Sequence, residues 1–249
     1  MTCPLSYYYR YIEKIPTITN GRAWMGSAVH YGIEQAHKEK NNQAGCDSYL
    51  KKFRAQEKEI NWQEEEPQIV EQEGLNLLNK YLSSNEYKGL NIINTEVNIN
   101  INFKVNTNDS ENRKIELIYP TKDTEELNSN KIVCYLDAII PDGIVDWKTT
   151  KRKWTQDQAE RSIQFIIYAM AYHYLSGITE VPIQAHILIS KKEPEIQVLK
   201  TVKSQCDFEN IKQVIFQIIK AINNEIFYPN PNQLCENYCD YKSLCRWKE

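Results

Sequence analysis

Asp146 and Lys148 stand two residues apart in "GIVDWKTT" (143–150), a stretch otherwise made of strand-forming residues. Side chains alternate along a strand, so the acid and the base share one face. Such a pair among apolar neighbours is costly to bury without partners. "KIVCYLDAII" (131–140) reads as the preceding strand, joined to the next through "PDG". A loop of two residues (142–143) or four (141–144) would set Asp137 opposite Lys148 and Asp146 opposite Ile139. All three polar groups would then share one face. A three-residue loop would split them. Two carboxylates that close favour a divalent cation, which relieves their repulsion without protonation. A lysine beside the ion's waters can orient or deprotonate one, or neutralise charge developing on a substrate. The plainer account is a structural Asp–Lys pair on a solvated face, and the short D-x-K pattern alone would favour it.

Three further residues bear on that choice. His30 follows Gly26 by one helical turn in "AWMGSAVHYGIEQAHKE" (23–39), with Glu34 a turn further on the same face. The glycine would let this helix approach a sheet closely, and a neutral imidazole is a good ligand for a divalent ion. Gln164 and Tyr168 are one turn apart in "WTQDQAERSIQFIIYAMAYHYLSG" (154–177), on a face otherwise of Ile, Ala and Met. Singly, these are a satisfied core histidine and an amphipathic border.

Taken in order, G-x3-H (Gly26–His30), Asp137, D-x-K (Asp146–Lys148) and Q-x3-Y (Gln164–Tyr168) resemble the PD-(D/E)XK nucleases of the RecB/Cas4 type. The literal "PD" at 141–142 belongs to the turn, and the matching acid is Asp137. The resemblance implies an α/β fold with a central mixed sheet flanked by helices, like a restriction-endonuclease core. It implies that His30, Asp137, Asp146 and the backbone carbonyl of Trp147 hold Mg²⁺ or Mn²⁺. Lys148 would position or activate the attacking water, and Gln164 and Tyr168 would support the site or the scissile strand.

The elements needed to position these residues are legible as patterns. "CPLSYYYRYIEKIP" reads as a short helix with Pro near its start and another after its end. Helices follow over 23–39 and in "DSYLKKFRAQEKEINWQ" and "PQIVEQEGLNLLNKYLSS". "LNIINTEVNININF" (90–103) alternates as a strand. Residues 105–130 are polar and Asn-rich, a hairpin with long loops or an insertion. After the D-x-K strand come one long helix ended by Gly177, a hairpin from "PIQAHILIS" and "EIQVLKTV", and a helix over 206–227. No repeat or linker divides the chain, so a single domain over 1–249 is expected.

The 249 residues are 41% hydrophobic, enough for one sizeable core. The formal charge of −3 excludes a global basic field, so any nucleic-acid surface must be local. No apolar stretch is long enough to span a bilayer. The start, "MTCPLSYYYRY", lacks the apolar segment of a signal peptide, so a cytoplasmic protein is expected.

Disulfides rarely persist there, and the seven cysteines call for another account. Cys46, Cys134 and Cys206 are scattered and read as plain thiols. Cys3 stands near one end, and Cys235, Cys239 and Cys245 cluster near the other. An iron–sulfur branch of the same family has one Cys before the nuclease core and three after it, and "CPLSYYYRY" and "CDYKSLC" resemble it. The resemblance implies a [4Fe–4S] cluster on these four thiolates, stapling 1–15 to 228–249. The C-x3-C-x5-C spacing departs by one residue from the C-x2-C-x5-C of that branch. Structural Zn²⁺ is the alternative.

Lys151, Arg152, Lys153 and Trp154 follow the D-x-K strand directly, and Arg161 comes soon after. A basic patch beside the site suits phosphate, and the tryptophan suits base stacking; a solvated loop is the competing account. The leading expectation is a metal-dependent nuclease acting on single-stranded DNA ends. Such domains work beside a helicase or a CRISPR integrase, and no G-x4-G-K-[ST] motor motif is present. A binding or assembly module that keeps the fold without catalysis, and a zinc-stapled scaffold, are the alternatives.

Overall fold

Strand β4 (Gly143–Thr150) carries Asp146 and Lys148 in the interior of a mixed sheet. The computed structural model describes residues 3–105, 115–118, 130–232, 235 and 239–245. Among these, six strands form one sheet in the order β2-β1-β3-β4-β5-β6. The others are β1 (Asn94–Val105), β2 (Ile115–Ile118), β3 (Asn130–Ile140), β5 (Val181–Ile189) and β6 (Glu195–Lys203). Every neighbouring pair is antiparallel except β4 and β5, which run parallel. A parallel pair needs a crossover, and α6 (Gln156–Glu160) with α7 (Ile163–Ser176) supplies it.

Two apolar layers cover the sheet. Helices α2 (Gly21–Glu39), α3 (Asn42–Ala55) and α4 (Pro67–Ser83), flanked in the chain by the short α1 (Pro4–Tyr7) and α5 (Asn85–Lys88), bury Met25, Ile33, Tyr49 and Leu77 against Val145, Trp147 and Leu188. Across the sheet, α7 and the residues Phe208 and Ile211 of a C-terminal helix (Gln205–Asn223) pack on Ile99, Leu136, Ile144 and Ile187. The alternation of β4 splits its residues between the two layers.

Three expectations need correction. The turn leaves out Pro141 and Asp142, because Ile140 pairs with Gly143 and Ala138 with Val145. Proline suits the second position of such a turn, where its fixed φ is already correct. Continuing that register sets Asp137 against Asp146, not against Lys148. Residues 154–177 are two helices, not one: Arg161 closes α6, and the Ser162 side chain accepts a bond from Phe165 N–H to begin α7. The first helix lasts only over Pro4–Tyr7 and widens into a π-turn over Tyr8–Ile12. The expected insertion at 105–130 lies largely outside the described residues. Within them it contributes the end of β1 and all of β2, which pair over Asn102–Val105.

Gly143 has a steric reason. A Cβ there would lie 2.1 Å from the carbonyl oxygen of Pro182 on the neighbouring strand, a backbone atom that cannot swing away.

Candidate active site

The site forms where the ladders fail. Pairing between β3 and β4 stops at Ala138 and Val145, so Asp137 and Asp146 are the next residues of two diverging strands. The β1–β3 ladder skips the rung of Glu96 and Asp137, while Thr95–Ala138 and Val97–Leu136 on either side are paired. Glu96 has φ 49°, a left-handed value that is unusual away from glycine. Burial changes phase across the gap: Cys134 and Leu136 face the α7 layer, Ala138 and Ile140 the α2 layer. Asp137 therefore sits in a break in the sheet. Its Oδ2 accepts the Trp147 N–H at 2.7 Å, which satisfies a backbone donor that the fork leaves open.

Helix α2 brings His30 to the same point. A Cβ on Gly26 would lie 2.5 Å from the Thr149 hydroxyl oxygen, so glycine permits the close helix–strand approach expected from the sequence. His30 Nδ1 is 3.3 Å from Asp137 Oδ1. Its ring meets the Trp147 indole edge-on, with centroids 6.1 Å apart. Lys148 donates to Asp146 Oδ1 at 2.8 Å and lies 2.7 Å from Oδ2. Oδ2 is fully buried and has no hydrogen bond of good geometry. From α7, Gln164 donates to the Tyr168 hydroxyl at 2.8 Å. Tyr168, His30, Asp137, Glu96 and Tyr135 line one cleft of about 540 Å³.

The electrostatics reflect burial opposed by partners. Burial pushes the Asp146 carboxyl up to about 6 against the pull of Lys148, and Asp137 adds to the rise. Burial acts on Asp137 in the same sense, yet His30 and Lys148 hold it below its ordinary value. His30 is disfavoured as a cation by burial, but Asp137 outweighs that and raises it. Burial pushes the Tyr168 phenol up to about 12, with Gln164 opposing. A cation at this point would favour the charged form of both carboxylates, offsetting the burial that opposes it.

Glu96 gave no signal in the sequence. Among the described residues, the one group of three metal-ligating side chains with donor atoms all within 4.8 Å of one another is His30, Glu96 and Asp137. Ligand atoms on one Mg²⁺ lie at most about 4.2 Å apart, so closure around an ion asks only a small adjustment. The donor set is one imidazole and hard carboxylate oxygens, and the orphaned Asp146 oxygen adds to it. These residues fit Mg²⁺ or Mn²⁺. Partial burial and the charge of Asp137 push the Glu96 carboxyl up, another sign of a cation-seeking cluster.

The basic residues do not enter this cleft together. Lys151 and Arg152 line a separate polar groove of about 1030 Å³ beside the start of α2, with Arg22 and Trp62. Lys151 lies 3.5 Å from Glu65, which also pairs with Arg22. Lys153 pairs with Glu195 at 3.3 Å. Trp154 is half-buried against Phe165, with centroids 6.0 Å apart. Arg161 is exposed and pairs with Asp157 at 2.6 Å.

The chain ends meet far from the cleft in sequence. Leu5 N–H donates to Tyr228 O at 3.1 Å, Tyr9 to Leu244 O at 2.9 Å, and Tyr241 to Ile15 O at 3.1 Å. All seven cysteines are free thiols. The Asn230 N–H points at Cys3 Sγ (3.4 Å) and the Asn232 N–H at Cys235 Sγ (3.3 Å). Burial pushes the Cys239 thiol up; the Tyr241 N–H opposes, and Cys235, Cys3 and Cys245 each add to the rise, so the three other thiols lie near enough to act on Cys239.

The sequence profile of the PD-(D/E)XK nuclease superfamily covers residues 1–246, and the chain belongs to that superfamily. A provisionally assigned exonuclease from Eubacterium rectale superposes with a TM-score of 0.58 at 15% identity, over 95% of this chain and 80% of that one. At that identity the likeness speaks for the fold. The structure of SSO0001 aligns over 99% of this chain and 94% of its own at 16% identity, with a TM-score of 0.38, too loose to argue from. No curated protein sequence matches significantly. Among the described residues no helix is long and apolar enough to cross a membrane.

Proposed function

We propose that this protein is a Mg²⁺- or Mn²⁺-dependent deoxyribonuclease that hydrolyses phosphodiester bonds as an exonuclease on single-stranded DNA. The observation that carries the reading is the meeting of His30, Asp137, Asp146 and Lys148 at one strand fork, beneath a cleft open to solvent. His30, Asp137, Asp146 and the Trp147 carbonyl would hold the ion, with Glu96 as a further carboxylate. When bound, the ion supplies a Lewis acid that offsets charge on the phosphate. Lys148 holds its ammonium at the Asp146 carboxylate and so faces the place where a nucleophilic water must approach. Gln164 orients the Tyr168 hydroxyl towards the same cleft, where it can donate to a phosphate oxygen. Lys151, Arg152, Lys153 and Arg161 are proposed to contact phosphates further along the strand, with Trp154 shaping that surface from its packed position.

We also propose a [4Fe–4S] cluster on Cys3, Cys235, Cys239 and Cys245, with Zn²⁺ as the alternative. Four free thiols, three of them near enough to act on Cys239 and two approached by backbone N–H groups, support it. The region 1–15 with 228–249 then forms a stapled subdomain on a single nuclease domain. A cytoplasmic setting, beside a helicase or a CRISPR integrase, suits such a protein.

Degradation of end-labelled single-stranded DNA with Mg²⁺ or Mn²⁺ tests the reading. Asp146→Ala and Lys148→Ala are each expected to lower the rate by about 10²–10⁴-fold. The position of the surviving label gives polarity. Equal cleavage by all three proteins, or none by cluster-loaded wild type, would leave a non-catalytic binding module as the better account.

A further inference from the structure

Among the described residues, strands β1 and β3 have one buried side and one exposed side. Ile99, Ile101, Cys134 and Leu136 are buried towards the α7 layer. The residues between them point the other way. There Asn98 pairs with Tyr135, Asn100 with Val133 and Asn102 with Lys131, every second rung of the antiparallel ladder. Tyr135 is 53% exposed and Val133 47%, and Asn98, Asn100 and Lys131 are exposed as well. Beyond them, where the pairing breaks, lie Glu96 and Asp137 at the candidate metal site. Same-face residues recur every second position, so the ladder runs about 20 Å from Asp137 to Lys131.

We propose that this bare ribbon is the track along which a single DNA strand lies as it enters the active site. The inference rests on the nuclease reading above. Continuity is the first argument: Tyr135 lines the same cleft as His30 and Asp137. Composition is the second. An exposed tyrosine offers a face on which any unpaired base can stack. The three asparagine amides can donate to and accept from base edges or phosphate oxygens. Lys131 supplies a phosphate partner at the far end. These three rungs carry no carboxylate, so nothing on them repels the backbone. A protein partner would ask for a broader apolar centre than one valine and one tyrosine provide. A duplex keeps its bases stacked on one another and closes the tyrosine's mode of contact, so the track selects unpaired strands.

Binding of a fluorescent oligothymidylate in EDTA, read by anisotropy, tests this without cleavage. Tyr135→Ala is expected to weaken binding about tenfold and to narrow the preference for single over double strands, while Tyr135→Phe keeps both. Lys131→Ala is expected to reduce the salt slope of binding by about 0.7. Both sites are on the exposed face, and an unchanged melting temperature shows that each variant folds. If wild type cleaves DNA with metal but Tyr135→Ala and Lys131→Ala bind as wild type does, the track is wrong and the nuclease reading stands. A wild type that neither cleaves nor binds overturns both.

Discussion

Asp146 is buried to 1% exposure, and its lone stabilising partner of opposite charge on the same strand is Lys148. A carboxylate in that position is expensive unless something else uses it, and the proposed cation site beside it would be that use. Glu96 makes the sharper test, because it shares the site with no buried salt bridge of its own. Glu96→Gln keeps its shape and removes its charge. It is expected to raise the Mg²⁺ concentration needed for half-maximal cleavage about tenfold, with a smaller effect at saturating metal. An unchanged metal requirement would exclude Glu96 from the ion. His186 gives an independent residue-scale prediction from beneath the site. It accepts from or donates to the Tyr81 hydroxyl at 2.8 Å, its Nε2 has no partner, and burial lowers its pKa to about 4. Unfolded, it titrates near 6.5. Above that pH both states hold it neutral and its contribution is intact. As pH falls from 6.5 to 4 only the unfolded chain gains the proton, so stability drops by up to about 3 kcal/mol. His186→Gln should flatten that part of the urea-unfolding profile relative to wild type. The acids and Lys148 were legible because D-x-K interrupts an apolar run. Glu96 was not, because it opens an alternating Asn-rich strand in which an outward glutamate is unremarkable.

At the scale of elements, the contact between α2 and β4 decides whether His30 reaches Asp137. Gly26→Ala sets a methyl 2.5 Å from the Thr149 hydroxyl oxygen, and either the helix or the threonine must move. The expected cost is about 1–3 kcal/mol of stability, with a larger proportional loss of cleavage as His30 is displaced. Thr149→Ala removes the obstructing oxygen. The double variant should recover most of both losses, and a double-mutant cycle on melting temperature and rate checks this. Additive losses would mean that Gly26 acts through some other contact. The helix-to-strand approach was readable from G-x3-H. The pairing register was not, because "PDG" accommodates several loops and only the preference of proline for the second turn position chooses among them. The break in 154–177 was likewise hidden: Ser162 caps α7 through a local bond that an apolar periodicity does not reveal. The phase change at Glu96 and Asp137 needs a left-handed residue other than glycine, and composition carries no sign of it.

For the whole molecule, the layered α/β arrangement followed from the order of patterns, but the closure of the chain rests on its two ends. Cys3 and Cys235 are more than two hundred residues apart in sequence, yet the segments around them share backbone and ring contacts, including Tyr9 against Tyr241 at 5.5 Å. Few of the described apolar residues there are buried: Tyr241 is, while Tyr11, Ile12 and Tyr228 are exposed. A small apolar patch of this kind offsets little of the entropy lost in ordering two termini. A cross-link spanning so long a loop would remove roughly 5 kcal/mol of unfolded-state entropy on a chain-closure estimate, enough to hold them. Cys3→Ser breaks the staple at its most remote point. Anaerobically purified wild type should contain iron and sulfide in equal amounts, and the variant should lose most of both. Protease should then trim 1–15 and 228–249 from the variant first, with the sheet and its fork surviving as a resistant core. Asp146→Ala, by contrast, should keep its full iron while losing cleavage, which separates the staple from the active site. Zinc in place of iron would leave the same trimming pattern and replace the cluster chemistry with a purely structural role. Termini equally resistant in wild type and Cys3→Ser would show that the aromatic and backbone contacts suffice without any metal.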